Sequence, residues 1–164
     1  MASSGQPLSP YVPDRPTDVS NVRIGIVRAQ WHADIVAELV DGAVRELVRC
    51  GIAPEHITQV DVPGSFELPV VAGAWARKGT VDAILCFGVI VRGDTPHFEY
   101  VAGPVAHGLQ HVALTTGVPC AFGVLTTNTV EQAWARAGGD HGHKGVEASQ
   151  VALSTLHALR HIGA

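Results

Sequence analysis

The middle of the chain carries an unbroken apolar run, Ala83-Ile84-Leu85-Cys86-Phe87-Gly88-Val89-Ile90-Val91. A run of this length without alternating polar residues predicts a strand that is buried on both faces, as in a parallel sheet covered by helices. The turn at 92–97 follows it directly. Because ligands of open α/β sheets bind beyond the carboxyl ends of the strands, this turn is a candidate functional site.

The residues of this turn suit an anion-binding site. Gly93 lets the backbone approach a ligand closely, Asp94 or Thr95 can cap the next helix, and Pro96 suits its first turn. The free amide groups of a helix start, together with the Thr95 hydroxyl, would cradle a phosphate or carboxylate, and His97 could transfer protons near neutral pH. A solvated histidine behind an ordinary cap would give the same residues, so the turn alone leaves both interpretations open.

Composition excludes several classes of protein. The chain has 164 residues, of which 46% are hydrophobic, enough for one domain with a full core. Its formal net charge is -4 and its Lys and Arg residues are dispersed, so we expect neither nucleic acid nor a membrane surface as a partner. The three cysteines lie far apart, which predicts no disulfide framework or thiolate zinc site. Without a signal peptide or membrane-spanning run, a cytoplasmic location is expected.

The order of elements predicts the fold. Residues 1–21 contain four prolines and few apolar residues, which predicts an extended or disordered arm, followed by one domain at 22–164. Strands are predicted at 22–27, 57–62, 83–91 and 119–126, and helices at about 32–49, 66–78, 96–116, 130–137 and 144–161. Four βα units with right-handed crossovers predict a flavodoxin-like three-layer α/β/α sandwich with a four-stranded parallel sheet of order 2-1-3-4. The apolar band of the first helix is wider than one sheet contact needs, which indicates a second buried contact.

The turns after the other strands add candidate residues. Trp31 follows the first strand, where its indole could stack on a flat heterocycle. Glu67 lies in the first turn of the second helix, where the helix dipole stabilises a carboxylate, so a purely structural role explains it equally well. Arg136 lies near the end of the short helix after the fourth strand, where it either binds carbonyl groups or reaches an anion.

Four segments together resemble one family, the 6,7-dimethyl-8-ribityllumazine synthases, in order and spacing from about residue 22 to the C-terminus. The segments are Pro63-Gly64-Ser65-Phe66-Glu67, Gly88-Val89-Ile90-Val91-Arg92-Gly93-Asp94-Thr95-Pro96-His97-Phe98-Glu99-Tyr100-Val101, Gly123-Val124-Leu125-Thr126-Thr127-Asn128-Thr129-Val130-Glu131-Gln132-Ala133, and Arg136-Ala137-Gly138 with Lys144-Gly145. The resemblance implies condensation of 5-amino-6-ribitylaminouracil with 3,4-dihydroxy-2-butanone 4-phosphate to 6,7-dimethyl-8-ribityllumazine, releasing phosphate and water, in the penultimate step of riboflavin synthesis. It also implies that the reaction uses no metal and no cofactor.

The resemblance further implies a role for each matching position. His97 would be the proton shuttle. Nine residues would hold the pyrimidine ring and its ribityl chain: Trp31, Ser65, Phe66, Glu67, Val89, Ile90, Val91, Phe122 and Lys144. Four would hold the phosphate, with Arg136 as the main anchor: Gly93, Asp94, Thr95 and Arg136. Asp94 departs from a simple phosphate site, because its carboxylate repels the anion unless it points away or faces Arg136.

A shared active site is also implied by the resemblance, with Phe122, Arg136 and Lys144 contributed by a neighbouring subunit of a cyclic pentamer. Some family members assemble twelve pentamers into a 60-subunit icosahedral shell, and the short loop at 138–144 favours this form. Riboflavin synthase, which would consume the product, is a candidate partner.

Two other functions are compatible with this fold. A non-catalytic flavin- or lumazine-binding protein would keep Trp31 and the ring-binding backbone but would have little use for Thr95, His97 and Arg136 together. A flavodoxin-like FMN protein would need a phosphate-binding loop after the first strand, where this chain instead has the segment 28–32, Arg-Ala-Gln-Trp-His. The sequence therefore favours the enzyme.

Overall fold

The structure, a computed structural model, describes residues 18–163, so most of the arm predicted at 1–21 lies outside the described residues. The elements in chain order are β1 (Ile24–Ala29), α1 (Ala33–Arg49), β2 (Ile57–Val62), α2 (Leu68–Lys78), β3 (Ala83–Val91), α3 (His97–Thr116), β4 (Cys120–Thr127), α4 (Val130–Trp134), β5 (Ala137–Gly139), β6 (Gly142–His143) and α5 (Lys144–His161). Single turns of 3-10 helix occur at Pro54–His56 and Ser65–Glu67. Among residues 18–163, no helix combines the length and the apolarity needed to cross a bilayer.

Four strands form one parallel sheet in the order β2-β1-β3-β4, which confirms the predicted topology. Helices α1 and α5 pack together on one face of this sheet, and α2 and α3 pack together on the other. The predicted three-layer α/β/α sandwich is therefore confirmed.

Strand β3 lies in the middle of the sheet and is buried along eight of its nine residues. Its alternate side chains enter two separate cores, with Leu85 and Phe87 on the α1/α5 side and Ile84 and Cys86 on the α2/α3 side. A Cβ atom on Gly123 of β4 would lie 2.4 Å from the Phe87 ring, so this ring needs a glycine beside it. The apolar run at the centre of the sequence is thus the centre of the core, as predicted.

Some predicted boundaries were wrong. Strand β1 runs two residues beyond its predicted end, and α2 begins after a 3-10 turn. The short helix predicted at 130–137 ends at Trp134, and an antiparallel hairpin of β5 and β6 follows it. Gly138 and Gly142 in this hairpin have φ of 110° and 82°, a backbone conformation that glycine adopts without strain.

The second buried contact predicted for α1 is made by α5 within the same chain. The Ser149 hydroxyl donates a hydrogen bond to the Ala43 carbonyl at 3.2 Å, and Gln150 Nε2 donates one to Glu46 Oε1 at 3.0 Å. The wide apolar band of α1 therefore does not require a second subunit.

A charged cluster lies at this α1–α5 contact. Glu46 is only 7% exposed, and it accepts hydrogen bonds from Arg49 Nε at 2.7 Å and Arg49 Nη2 at 2.8 Å. These bonds from Arg49 are the main reason that the pKa of Glu46 lies below its ordinary value, against the opposing effect of burial.

We predict that Arg49→Ala lowers the free energy of unfolding at neutral pH by about 1–3 kcal/mol, because a buried carboxylate loses its charged hydrogen bonds. Arg45→Ala is the matched control, since the exposed Arg45–Glu38 pair on the same helix spans 3.5 Å and its loss costs less than about 1 kcal/mol. Because the folded-state pKa of Glu46 is lowered from 4.5, the contribution of Arg49 is complete above that pH and is lost as the pH falls through the lowered pKa. Urea unfolding at neutral and acidic pH measures this, and equal stability of the two variants at neutral pH would contradict it.

Candidate active site

A cleft of about 500 Å³ lies at the carboxyl ends of β1, β2 and β3, and we call it the His97 cleft. Eight predicted site residues line it: Trp31, Ser65, Phe66, Glu67, Val89, Ile90, Val91 and His97. The lining residues come from the ends of β1, β2 and β3 and the turns that follow them, which meet because parallel strands end at one edge of the sheet. The structure also adds His32, Gly64, Tyr100 and Val101 to the lining.

The turn between β1 and α1 supplies the exposed aromatic wall. Trp31 is 68% exposed, and a Cβ atom on Gly64 would lie 3.5 Å from its indole, so the ring stands beside the β2 turn. His32 has φ 56° and ψ 47°, which makes it the one non-glycine residue with positive φ among residues 18–163. Such strained residues concentrate at functional sites. Sequence reasoning missed His32, because no local pattern marks this conformation for histidine.

The turn between β2 and α2 forms the floor of the cleft. Ser65 is buried, and a Cβ atom on Gly88 would lie only 2.3 Å from its hydroxyl oxygen, so Ser65 rests directly against β3. Glu67 Oε2 accepts a hydrogen bond from the Gly64 amide at 3.0 Å. Glu67 therefore stabilises the turn at the start of α2, which is the structural role considered for it above. Its side chain also lines the cleft.

Arg92 holds the turn after β3 in place. Its amide donates to the Thr127 carbonyl at 2.9 Å, and its Nε donates to Asn128 Oδ1 at 3.2 Å. Its guanidinium pairs with Glu99 and lies 4.1 Å from the centre of the Phe98 ring. The hydrogen bond from Arg92 also lowers the pKa of Glu99. Sequence reasoning gave Arg92 no role, although an arginine at a strand end ahead of an acid in the next helix was a usable signal.

The cap of α3 differs from the prediction. Pro96 occupies the N-cap position in place of Asp94 or Thr95, and the Thr95 hydroxyl oxygen lies 3.5 Å from the His97 amide nitrogen. Gly93, Asp94 and Thr95 are exposed beside the cleft and do not line it, whereas His97 does. The turn is therefore exposed to solvent beside the cleft.

Tyr100 is a further lining residue that sequence reasoning passed over. It is 73% exposed and follows His97 by three positions in α3, so both side chains lie on one helical face. This spacing was visible in the sequence and could have identified it.

A second cleft of about 390 Å³, which we call the Arg136 cleft, lies between the edge strand β4 and α5. It contains the three residues predicted to come from a neighbouring subunit: Phe122, Arg136 and Lys144. Arg136 Nη1 donates to the Gln132 carbonyl at 2.8 Å, and Lys144 Nζ pairs with Glu147 Oε2 at 2.5 Å. The two clefts share no lining residue. The structure thus gathers eleven of the fourteen predicted residues into two groups on one chain, and Gly93, Asp94 and Thr95 lie outside both groups.

No cysteine lines either cleft, and the described residues form no metal-binding cluster. Burial raises the pKa of Cys120 to about 11 and holds that of Cys86 well above its ordinary value, so both thiols stay protonated at neutral pH. Across residues 18–163, no three His, Cys, Asp or Glu side chains are grouped so that they could hold a metal ion.

A comparison with protein families gives one match that spans both clefts. The family model described as 6,7-dimethyl-8-ribityllumazine synthase matches residues 21–160. This range includes every residue that lines the His97 cleft and the Arg136 cleft.

We predict that Arg92→Ala raises amide hydrogen exchange in residues 93–98 by about tenfold or more while costing less than about 1 kcal/mol of global stability, because the lost contacts are exposed. Arg28→Ala is the matched control, since Arg28 lies on β1 and pairs with exposed Asp61 at 2.5 Å. Hydrogen exchange followed by mass spectrometry measures both variants. Unchanged exchange of residues 93–98 in Arg92→Ala would show that Arg92 does not hold the turn.

Proposed function

Because this chain belongs to the 6,7-dimethyl-8-ribityllumazine synthase family, we propose that its two clefts are two halves of the active site, contributed by adjacent subunits. Family membership makes the chain an enzyme of riboflavin synthesis, which condenses 5-amino-6-ribitylaminouracil with 3,4-dihydroxy-2-butanone 4-phosphate. The observation that carries the proposal is the distribution of the predicted residues, with His97 in one cleft and Arg136 in the other.

The His97 cleft holds the pyrimidine substrate in this proposal. The exposed indole of Trp31 stacks on the ring, and the backbone at 65–66 and 89–91 forms hydrogen bonds with the ring edges. Glu67 accepts hydrogen bonds from the ribityl hydroxyl groups, and the neighbour's Phe122 and Lys144 close the site from the other side. The support for this arrangement is that Trp31 and Glu67, from the neighbouring turns after β1 and β2, line one cleft together with apolar residues of β3.

The phosphate lies at the mouth of the cleft, against the start of α3. The backbone N–H groups of residues 93–95 and 97 and the Thr95 hydroxyl bind it, and the partial positive charge of a helix N-terminus stabilises it. Arg136 of the adjacent subunit is the main anchor, because a guanidinium has five N–H donors and the bond to Gln132 engages one of them. Asp94 belongs to this loop, and its carboxylate either points away from the anion or faces Arg136, because it would otherwise repel the phosphate.

The chemistry then requires orientation and proton transfer. The substrate amine attacks the ketone to form an imine with loss of one water, and removal of a proton then expels phosphate. The second amine attacks the remaining carbonyl group, and the ring closes with loss of a second water. His97 accepts and returns the protons, since imidazole does both near neutral pH. Such proton transfer accelerates a reaction by about 10²–10⁴-fold, and holding both substrates in place supplies more.

The assembly in this proposal is a cyclic pentamer, with twelve pentamers forming a 60-subunit icosahedral shell. A head-to-tail interface repeats around a ring, so every His97 cleft meets one Arg136 cleft. The short turn between β5 and β6 supports the shell, and light scattering that finds only a pentamer would overturn that part. We also propose a cytoplasmic location, which suits the three free cysteines, and riboflavin synthase as a partner that consumes the product.

We predict that the purified protein forms lumazine well above the uncatalysed rate, and that His97→Ala lowers kcat by about 10²–10³-fold while leaving measurable activity. Residual activity is expected because positioning does not depend on His97. Absorbance of the product measures the rate. Unchanged turnover in His97→Ala would remove the proton-shuttle assignment, and tight binding of the pyrimidine without turnover in the native protein would favour the non-catalytic binding protein.

Arg136→Ala is predicted to raise the KM for the butanone phosphate by about 10- to 100-fold, because charged hydrogen bonds to the phosphate are lost. The KM for the pyrimidine should change much less. Arg77→Ala removes an exposed arginine from α2 that lines neither cleft, and it serves as the control. Equal KM values for the phosphate substrate in both variants would exclude Arg136 as the anchor.

A further inference from the structure

An enclosed imidazole with no assigned role lies next to the Arg136 cleft. The side chain of His143 is 17% exposed, and neither ring nitrogen has a hydrogen-bond partner among residues 18–163. Its nearest acidic oxygen, Glu38 Oε1, is 3.8 Å from Nε2, beyond hydrogen-bonding distance. Burying a polar group without a partner costs free energy, so the presence of a histidine at this position needs a reason other than hydrogen bonding.

Three glycines surround this ring, and we call them the glycine notch: Gly42, Gly138 and Gly145. A Cβ atom on Gly42 would lie 2.0 Å from the ring carbon Cε1 of His143, and one on Gly145 would lie 3.1 Å from the same atom. A Cβ atom on Gly138 would lie 3.3 Å from Cδ2. The notch joins α1, the hairpin and α5, since each contributes one glycine. The imidazole therefore fills, by its shape, the space where these three elements meet.

The same hairpin carries both cations of the Arg136 cleft. His143 pairs with Ala137 across the two short strands, so Arg136 and Lys144 each lie one residue outside this pair. The Lys144 amide donates a hydrogen bond to the Arg136 carbonyl at 2.8 Å. The packing of the His143 ring against Gly42 of α1 consequently sets the position of the backbone at Arg136 and Lys144.

We propose that His143 is a positioning residue for the reaction, whose imidazole seats the β5–β6 hairpin in the glycine notch and thereby holds Arg136 and Lys144 in their binding geometry. This inference rests on the proposed function, because it acts through the binding roles of those two cations. His143 itself contacts no substrate.

The packing of the His143 ring in the glycine notch depends on the shape of the ring and not on its charge. Burial lowers the pKa of His143 and favours the neutral ring at neutral pH, with Glu38 opposing this effect and Arg45 adding to it. Since neither ring nitrogen forms a hydrogen bond with any of residues 18–163, a leucine of similar size should fill the notch as well. Alanine leaves the notch empty and lets the hairpin shift.

The first experiment compares His143→Ala with His143→Leu in the assembled enzyme. His143→Ala should raise the KM for the butanone phosphate by about five- to tenfold with kcat within about twofold of native, because displaced cations weaken binding while His97 stays in place. His143→Leu should restore the KM to within about twofold. The matched control is His141→Ala, because His141 lies exposed in the same hairpin turn and should leave both constants unchanged.

A second experiment perturbs the notch from α1 and leaves His143 in the chain. Gly42→Ala places a methyl group against the ring and should raise the same KM, so it tests the proposal even if His143→Ala does not fold. In the double variant with His143→Ala the methyl group has room. Its KM should therefore match that of His143→Ala alone instead of the product of the two effects.

The results distinguish a failure of the positioning role of His143 from a failure of the proposed function. If Arg136→Ala raises the KM and His143→Ala does not, the positioning role is overturned and the proposed function stands. If His143→Leu is as impaired as His143→Ala, or if the effects of Gly42→Ala and His143→Ala multiply, the notch does not act through shape and the inference fails. If Arg136→Ala leaves the KM unchanged, the proposed phosphate anchor fails, and the positioning role falls with it.

Discussion

The burial of β3 on both faces is the constraint on which the rest of this structure depends. Its side chains are divided between two cores, and between Ala83 and Gly88 none of them lines the His97 cleft. The strand reaches the cleft only at its carboxyl end, through Val89, Ile90, Val91 and the turn after them. Close packing also explains Gly88, since any side chain there would displace Ser65 from the floor of the cleft.

A four-stranded sheet then separates the functional groups. The turns after β1, β2 and β3 meet at one end of the sheet and form the His97 cleft, while β4 and α5 form the Arg136 cleft at an edge. In the proposed assembly, a second copy brings its edge to the open end of the first. In that assembly, the apolar cleft that binds the ring and the cations that bind the phosphate lie on different parts of the chain. They meet only where two subunits are in contact.

Sequence reasoning succeeded where the determining interaction is local. The unbroken apolar run at 83–91 and the helical spacing of apolar residues in the helices each predict the local structure of their own segment. The order of the βα units predicts the sheet topology. It failed where distant segments decide. The left-handed His32, the contacts of Arg92 with the β4 turn, and the fit of His143 against Gly42 all depend on pairs that are far apart in the chain or on backbone angles that no pattern encodes. The cap of α3 was misplaced because two adjacent polar residues offered equivalent caps.

A mixed-subunit experiment tests the central claim, that each active site is built from two chains. His97→Ala and Arg136→Ala subunits are unfolded together in equal amounts, reassembled, and assayed at a phosphate-substrate concentration where each variant alone is nearly inactive. In a head-to-tail ring, one interface in four pairs a native His97 cleft with a native Arg136 cleft, so about a quarter of the native activity should return. Activity equal to the mean of the two separate variants would show that each chain completes its own site and would contradict the account.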